Sequence, residues 1–246
     1  MLYLIGLGLM KDDLTLRAIE AIKKCRRVYL ETYTTKLPYT IKELEKIIKK
    51  EVIEIAREKV ESDFLVNEAK QENIALLIYG DPLAATTHLT LMLDARKAKI
   101  KIEIMHNASI FNAIADIGLQ LYKFGKTTSL PKWLQNHKPT SFYNIIKDNQ
   151  SIRAHTLLLI DPGLDIKGAL DQLIQADIEN IFNELTIVIA SQLGAMNPKI
   201  QSGKLKELAK KKLVVKEPYG IIILAPLHFI EAETLRLIPS EKTLKT

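Results

Sequence analysis

The stretch LYLIGLGLMKDD, residues 2–13, sets two glycines, Gly6 and Gly8, directly after an apolar run. Glycines where a strand turns into a helix let the backbone approach a ligand, and this spacing opens the fingerprint of dinucleotide-binding folds. The fingerprint requires a third glycine for close helix–strand packing, and Lys11 stands in its place. It also requires an acid about twenty residues further on for a ribose, which Glu31 is placed to supply. The segment MKDDLT lengthens the turn, so the helix starts too late to receive a pyrophosphate.

A second turn, YGDPLAATTH (79–88), follows another apolar run. Gly-Asp-Pro at the carboxyl end of a strand fixes a turn whose carboxylate projects above the sheet, with small residues beyond it to accommodate a ligand. The same residues also read as a plain strand-to-helix connection capped by Asp81 or Thr86. Other phosphate and metal motifs fail. FGKTTS (124–129) resembles the end of a P-loop, but Gln120 occupies the position of the required first glycine. The five histidines and the lone Cys25 show no zinc spacing, and no G-x-S-x-G elbow is present. No metal site is expected, and no catalytic residue stands out. An enzyme built from these parts would have to work by positioning.

GLGL…DDLT at the start, GDPLAATTH, HNASIFNAI (106–114), GLQLYKFGK (118–126) and PLHFIEAE (226–233) occur in this order. Together they resemble the diphthine synthase family, part of the tetrapyrrole-methylase-like superfamily of methyltransferases, over nearly the whole chain. The resemblance implies that the glycine loop is a wall of an S-adenosylmethionine site in a cleft between two domains. Carried over position by position, the cofactor-binding residues are Leu9, Asp81, Ala84, Ser109, Ile110, Ile160, Leu193 and His228. Without the motif context, Leu9, Ile110, Ile160 and Leu193 read as core, Ser109 as a helix cap, Ala84 as packing and His228 as a satisfied histidine. Gln192 stands where the family usually has arginine, and Pro162-Gly163 inserts a turn before the Asp-Ile-Lys segment.

The implied reaction moves methyl groups to the amine of a modified histidine on translation elongation factor 2, giving the trimethylammonium of diphthine. Tyr33 or Tyr122 is a candidate to face that cation. The family also implies a homodimer, while a cytoplasmic location and no direct nucleic-acid contact are expected from the composition. Three alternatives stay open. One is another superfamily methyltransferase acting on a tetrapyrrole or ribosomal RNA. Another is a nicotinamide-dependent oxidoreductase using Glu31. The third is a cofactor-binding protein without turnover.

The elements that must position these residues read as α/β. Strand candidates at 2–6, 27–31, 52–56, 74–79 and 100–105 alternate with helical patterns at 14–25, 39–50, 64–73 and 86–99. That rhythm specifies a parallel sheet with helices on both faces. Thr40 with Glu43 forms a capping box at the second helix. The second part reads as a mixed sheet with an edge strand after YKFGK. It carries strands at 155–160, 185–190 and 220–225 and helices near 140–150, 166–182, 203–212 and 227–237. The domains are expected at 1–106 and 107–246.

The 246 residues hold 47% apolar and 26% charged side chains, an ordinary globular composition. The first ten residues lack a basic leader and a cleavage site, so they read as a strand. One cysteine excludes an internal disulfide and fits a reducing cytosol. The net charge of +6 rests on lysines spread along helices, the pattern of a solvated surface more than of a nucleic-acid groove.

Overall fold

The computed structural model describes residues 1–237. The end of the domain expected over 107–246 lies outside the described residues. The chain divides into two compact units, Met1–Ala113 and the part from Ile114 onward.

The first unit runs β1 (Leu2–Gly6), α1 (Leu16–Lys24), β2 (Arg27–Glu31), α2 (Ile41–Ile48) and β3 (Ile53–Ile55). A short α3 (Arg57–Val60), α4 (Phe64–Gln71), β4 (Ile74–Ile78), α5 (His88–Lys97), β5 (Ile102–Met105) and the single turn α6 (Ile110–Ala113) complete it. The strands form one sheet in the order β3-β2-β4-β1-β5. All of its pairings are parallel. β1 and β4 are buried along their whole length, as strands covered on both faces must be.

The alternation within each strand divides the core in two. Tyr3, Ile5, Val28, Leu30, Ala75 and Leu77 pack with α1 and α2 residues such as Ala18, Ile22 and Leu44. Leu2, Leu4, Tyr29, Ile74, Leu76 and Ile78 pack with Leu65, Ala69, Leu91 and Ala95 of α4 and α5. The chain therefore leaves β1 toward one face and β4, its neighbour, toward the other. Adjacent strands that part in this way open a crevice above their carboxyl ends, where open α/β sheets bind ligands.

The second unit begins with two 3-10 turns, then β6 (Thr128–Leu130), α7 (Ser141–Ser151), β7 (Thr156–Ile160) and α8 (Ile166–Ala176). β8 (Thr186–Ser191), β9 (Lys199–Lys204), a short α9 (Leu205–Leu208), β10 (Tyr219–Ile223) and α10 (Phe229–Leu237) follow. The sheet order is β6-β7-β10-β8-β9, with β6 at one edge. β6 pairs parallel with β7 and the remaining ladders are antiparallel, so the sheet is mixed. Phe142, Ile146, Leu158, Leu170, Leu173, Phe182 and Ile221 belong to the core cluster on this sheet.

Two sequence expectations need correction. The helix expected over 166–182 ends at Ala176, because the Asp177 carboxylate accepts the amides of Ile181 and Phe182 and turns the chain. The helix expected near 203–212 is a single turn, Leu205–Leu208, preceded by β9, which the sequence reading missed. β9 is a half-exposed edge strand with three lysine, serine or glycine positions toward its end, held by its pairing with β8. The capping box at Thr40 and Glu43 is present in both directions. Among the described residues, no helix is long and apolar enough to cross a membrane.

Candidate functional site

The crevice above β1 and β4 is built by three turns, those after β1, β4 and β5. The Gly6–Asp13 turn lies against the Gly80 turn through paired backbone bonds. Gly8 N donates to Gly80 O at 3.2 Å, and Gly80 N donates to Gly8 O at 2.9 Å. The two chains approach so closely that a Cβ on Gly6 would stand 2.6 Å from Gly80 O. Gly8 has φ +74°, and a Cβ there would meet the Asp13 Cβ at 2.3 Å. Glycine is required at both positions.

Asp13 closes the first turn on itself. Its Oδ2 accepts from Leu9 N and Met10 N, both at 2.8 Å. Leu7 N donates to Ile78 O at 2.8 Å. Every backbone amide from Leu7 to Met10 is therefore already donated within the chain. A pyrophosphate would find none of the amides from Leu7 to Met10 free to bind it. Lys11, in the place of the third glycine, forms an ion pair with Glu43 of α2 at 2.7 Å. Glu31 is buried, and its Oε2 accepts from Tyr33 N and Thr34 N at 3.2 and 3.0 Å. Burial raises its carboxyl pKa above the ordinary value, although the two amides and the Thr34 side chain oppose the shift. It staples a turn and does not present a carboxylate to a ribose.

Asn107, after β5, fastens the three turns together. Its Nδ2 donates to Gly6 O and to Asp13 O, each at 3.0 Å, and its backbone N donates to Asp81 Oδ2 at 3.1 Å. Asp81 Oδ2 also accepts from His106 Nδ1 at 2.8 Å, and Oδ1 accepts from Leu83 N at 2.9 Å. A carboxylate offers about four acceptor positions, so Asp81 keeps one, on Oδ1. His88, fully buried at the start of α5, supports this turn from below through Pro82 O at 3.2 Å. Burial lowers the pKa of its imidazole, although the Pro82 bond opposes this.

The five candidates in the first unit gather here. Leu9 is buried in the first turn, and Tyr79 OH donates to its carbonyl at 3.2 Å. Ala84 N donates to Asp81 O within the Gly-Asp-Pro turn. Ser109 lies against Gly80, whose Cβ position is 3.6 Å from the Ser109 Cβ. Ser109 Oγ accepts from Phe111 N at 3.3 Å, so it also caps α6, and half-buried Ile110 follows it.

The three candidates in the second unit do not form one group. β10 is antiparallel to both β7 and β8, so Ile160, ending β7, and Leu193, just past β8, lie at one end of the sheet. His228 follows the far end of β10 and lies at the other. Leu193 is buried in a turn where Gln192, with φ 53°, donates through its N to Pro218 O and through Nε2 to Glu217 O. Gly163 has φ +76° with nothing near its Cβ position, so the Pro-Gly insertion is an open turn leading to the Asp165 cap of α8. In FGKTTS the backbone is held by Asn149, which accepts from Lys126 N and donates to Lys126 O. Arg57 lies over one face of the Tyr33 ring at 5.7 Å, and Tyr122 is exposed.

Sequence reasoning missed Asp13, Asn107 and His106. Their partners are far away in sequence or come from loops, where hydrophobic periodicity carries no signal.

The crevice offers a carboxylate acceptor at Asp81, and the amides from Leu7 to Met10 are already donated within the chain. That donor set fits a cationic nucleoside sulfonium better than a dinucleotide. Residues 1–209 match the family model of tetrapyrrole (corrin/porphyrin) methylases. A diphthine methyl ester synthase of Schizosaccharomyces pombe is 38% identical over 96% of this chain and 93% of its own. A diphthine synthase of Methanococcus vannielii is 38% identical over 97% of this chain and 98% of its own. A crystal structure of diphthine synthase superposes with a TM-score of 0.89 at 35% identity, covering 96% of this chain and 95% of that one. The chain belongs to the tetrapyrrole methylase family, in its diphthine synthase branch, and is a methyltransferase.

Proposed function

We propose that the protein methylates the amino group of the 3-amino-3-carboxypropyl-histidine of translation elongation factor 2, with S-adenosylmethionine as donor. Repeated three times, the transfer gives diphthine. The observation that supports this reading most is the clasp of the first unit's three turns by Asn107 and Asp81, which leaves one carboxylate acceptor position on Asp81. When bound, the cofactor supplies an electrophilic methyl on a sulfonium sulfur.

The chain's own residues then bind and orient. Asp81 Oδ1 accepts from an ammonium or a ribose hydroxyl. Leu9, Ala84 and Ile110 cover apolar surface, and Ser109 offers a hydroxyl. Ile160, Leu193 and His228 are proposed contacts from the second unit. Their positions at two ends of its sheet make them separately testable. In-line displacement needs collinear sulfur, carbon and nitrogen, so positioning supplies most of the acceleration. We also infer a homodimer acting in the cytoplasm.

One relative is named a diphthine methyl ester synthase, so esterification of the neighbouring carboxylate is the second reading. Elongation factor 2 purified from cells unable to methylate it, incubated with the protein and cofactor and analysed by intact mass, decides between them. Three added methyls are expected, a fourth favours the ester, and none contradicts the proposal.

A further inference from the structure

The transfer to an amine leaves one requirement unmet by the residues above. The nitrogen attacks only as a free base, and every round releases a proton that a basic group at the site can take.

His106 has the geometry for it. Its Nδ1 is 2.8 Å from Asp81 Oδ2, and a carboxylate accepts, so Nδ1 carries the proton. Nε2 is then the imidazole's free lone pair. A carboxylate that fixes the tautomer and orientation of an imidazole in this way is the arrangement that makes histidine an effective proton acceptor. The carboxylate is itself immobilised by Leu83 N and Asn107 N, so the ring is held from a rigid base. The Asp81 side chain is 13% exposed whereas that of His106 is 68% exposed, so the orienting group is sheltered and the accepting nitrogen is open. His106 also stands three residues before Ser109, on the turn that closes the cofactor loops.

We propose that His106 Nε2 is the proton acceptor of the methyl transfer, oriented by Asp81. The inference rests on the amine reading given above. In each round the N–C bond forms as the donor's S–C bond breaks, with the electron pair going to sulfur. The proton lost by the amine nitrogen passes to Nε2 and on to water, and the Asp81 carboxylate offsets the transient imidazolium charge. Esterification of a carboxylate releases no proton and has no need of this group.

Three measurements on the full-length protein test it. First, side-chain nitrogen NMR of His106 is expected to show the Nδ1–H tautomer, lost in Asp81→Asn. Second, His106→Ala is expected to bind S-adenosylhomocysteine within about threefold of wild type while kcat on elongation factor 2 falls by about 100-fold or more. Third, free imidazole is expected to restore at least about tenfold of that loss, a rescue that a purely structural role does not give. An Nε2–H tautomer, or wild-type turnover by His106→Ala, overturns the role while leaving the proposed function standing. Absence of turnover by the wild-type protein overturns both.

Discussion

Glu231 and His155 face each other in the interior of the second unit, with Oε1 3.3 Å from Nε2 and both side chains fully buried. Ala225 N donates to His155 Nδ1 at 2.9 Å, so Nε2 carries the ring proton and donates to Glu231. The carboxylate also accepts from Lys123 Nζ, Gln120 N and His228 N. This hub ties the YKFGK segment, the start of β7 and the PLHFIEAE segment together. Glu231→Gln replaces an acceptor with an amide whose NH2 opposes the donors around it. Loss of one partner of a buried charge network costs about 3–5 kcal/mol. An unfolding free energy lowered by that amount, seen as a lower urea midpoint at unchanged slope, is expected; a change below about 1 kcal/mol contradicts the assignment.

The same hub sets an acid limb of stability. Burial opposes ionisation of Glu231, but Lys123, the Gln120 and His228 amides and His155 outweigh it and bring its pKa down to about 2. Its contribution is full above the ordinary 4.5 and is lost as pH falls from there toward 2. Burial lowers the pKa of His155, against the pull of Glu231, so its contribution also begins to fall below 6.5. Thermal midpoints are expected to decline below that value and more steeply below 4.5. In Glu231→Gln the second decline is expected to flatten.

Asn107→Ala removes both donations to Gly6 O and Asp13 O. Two part-buried acceptors left without these partners cost about 1–3 kcal/mol each at most. Because the lost bonds join the turns proposed to hold the cofactor, affinity for S-adenosylhomocysteine is expected to fall at least about tenfold. A binding isotherm indistinguishable from wild type contradicts the clasp.

Gly8→Ala places a methyl against Asp13 in a backbone conformation that alanine disfavours. The Asp13 side chain must move, releasing Leu9 N and Met10 N. Reduced cofactor binding is expected with a smaller loss of global stability, about 1–2 kcal/mol. Unchanged binding argues that the turn lies outside the site.

Cys25 is buried, and burial, opposed by Lys50 and the N-terminus, pushes its thiol pKa up to about 11. Thiol reagents act on the thiolate. Below pH 9 the native protein is expected to resist alkylation, with full labelling only in denaturant. Rapid native labelling contradicts the burial.

Much of the first unit is legible in the sequence because its strands are continuous apolar runs between amphipathic helices. β1 over residues 2–6 and β2 over 27–31 fall where the pattern puts them. β9 escaped because its residues are polar and its place depends on pairing with β8, not on burial. The two glycines and Gly-Asp-Pro are visible as turns, but their meaning depends on bonds such as Asn107 to Gly6, 101 residues apart. Nor does local spacing show that Asp13 consumes the amides a phosphate would need. Family resemblance points to these loops as the proposed cofactor site; the structure shows how they are fastened to one another.

The most direct measurement is calorimetric titration of the protein with S-adenosylhomocysteine and, separately, with NADH. The account expects micromolar binding of the first, none of the second, and a loss of at least about tenfold in Asp81→Ala. Binding of NADH, or of neither ligand, would contradict the reading of the crevice above β1 and β4.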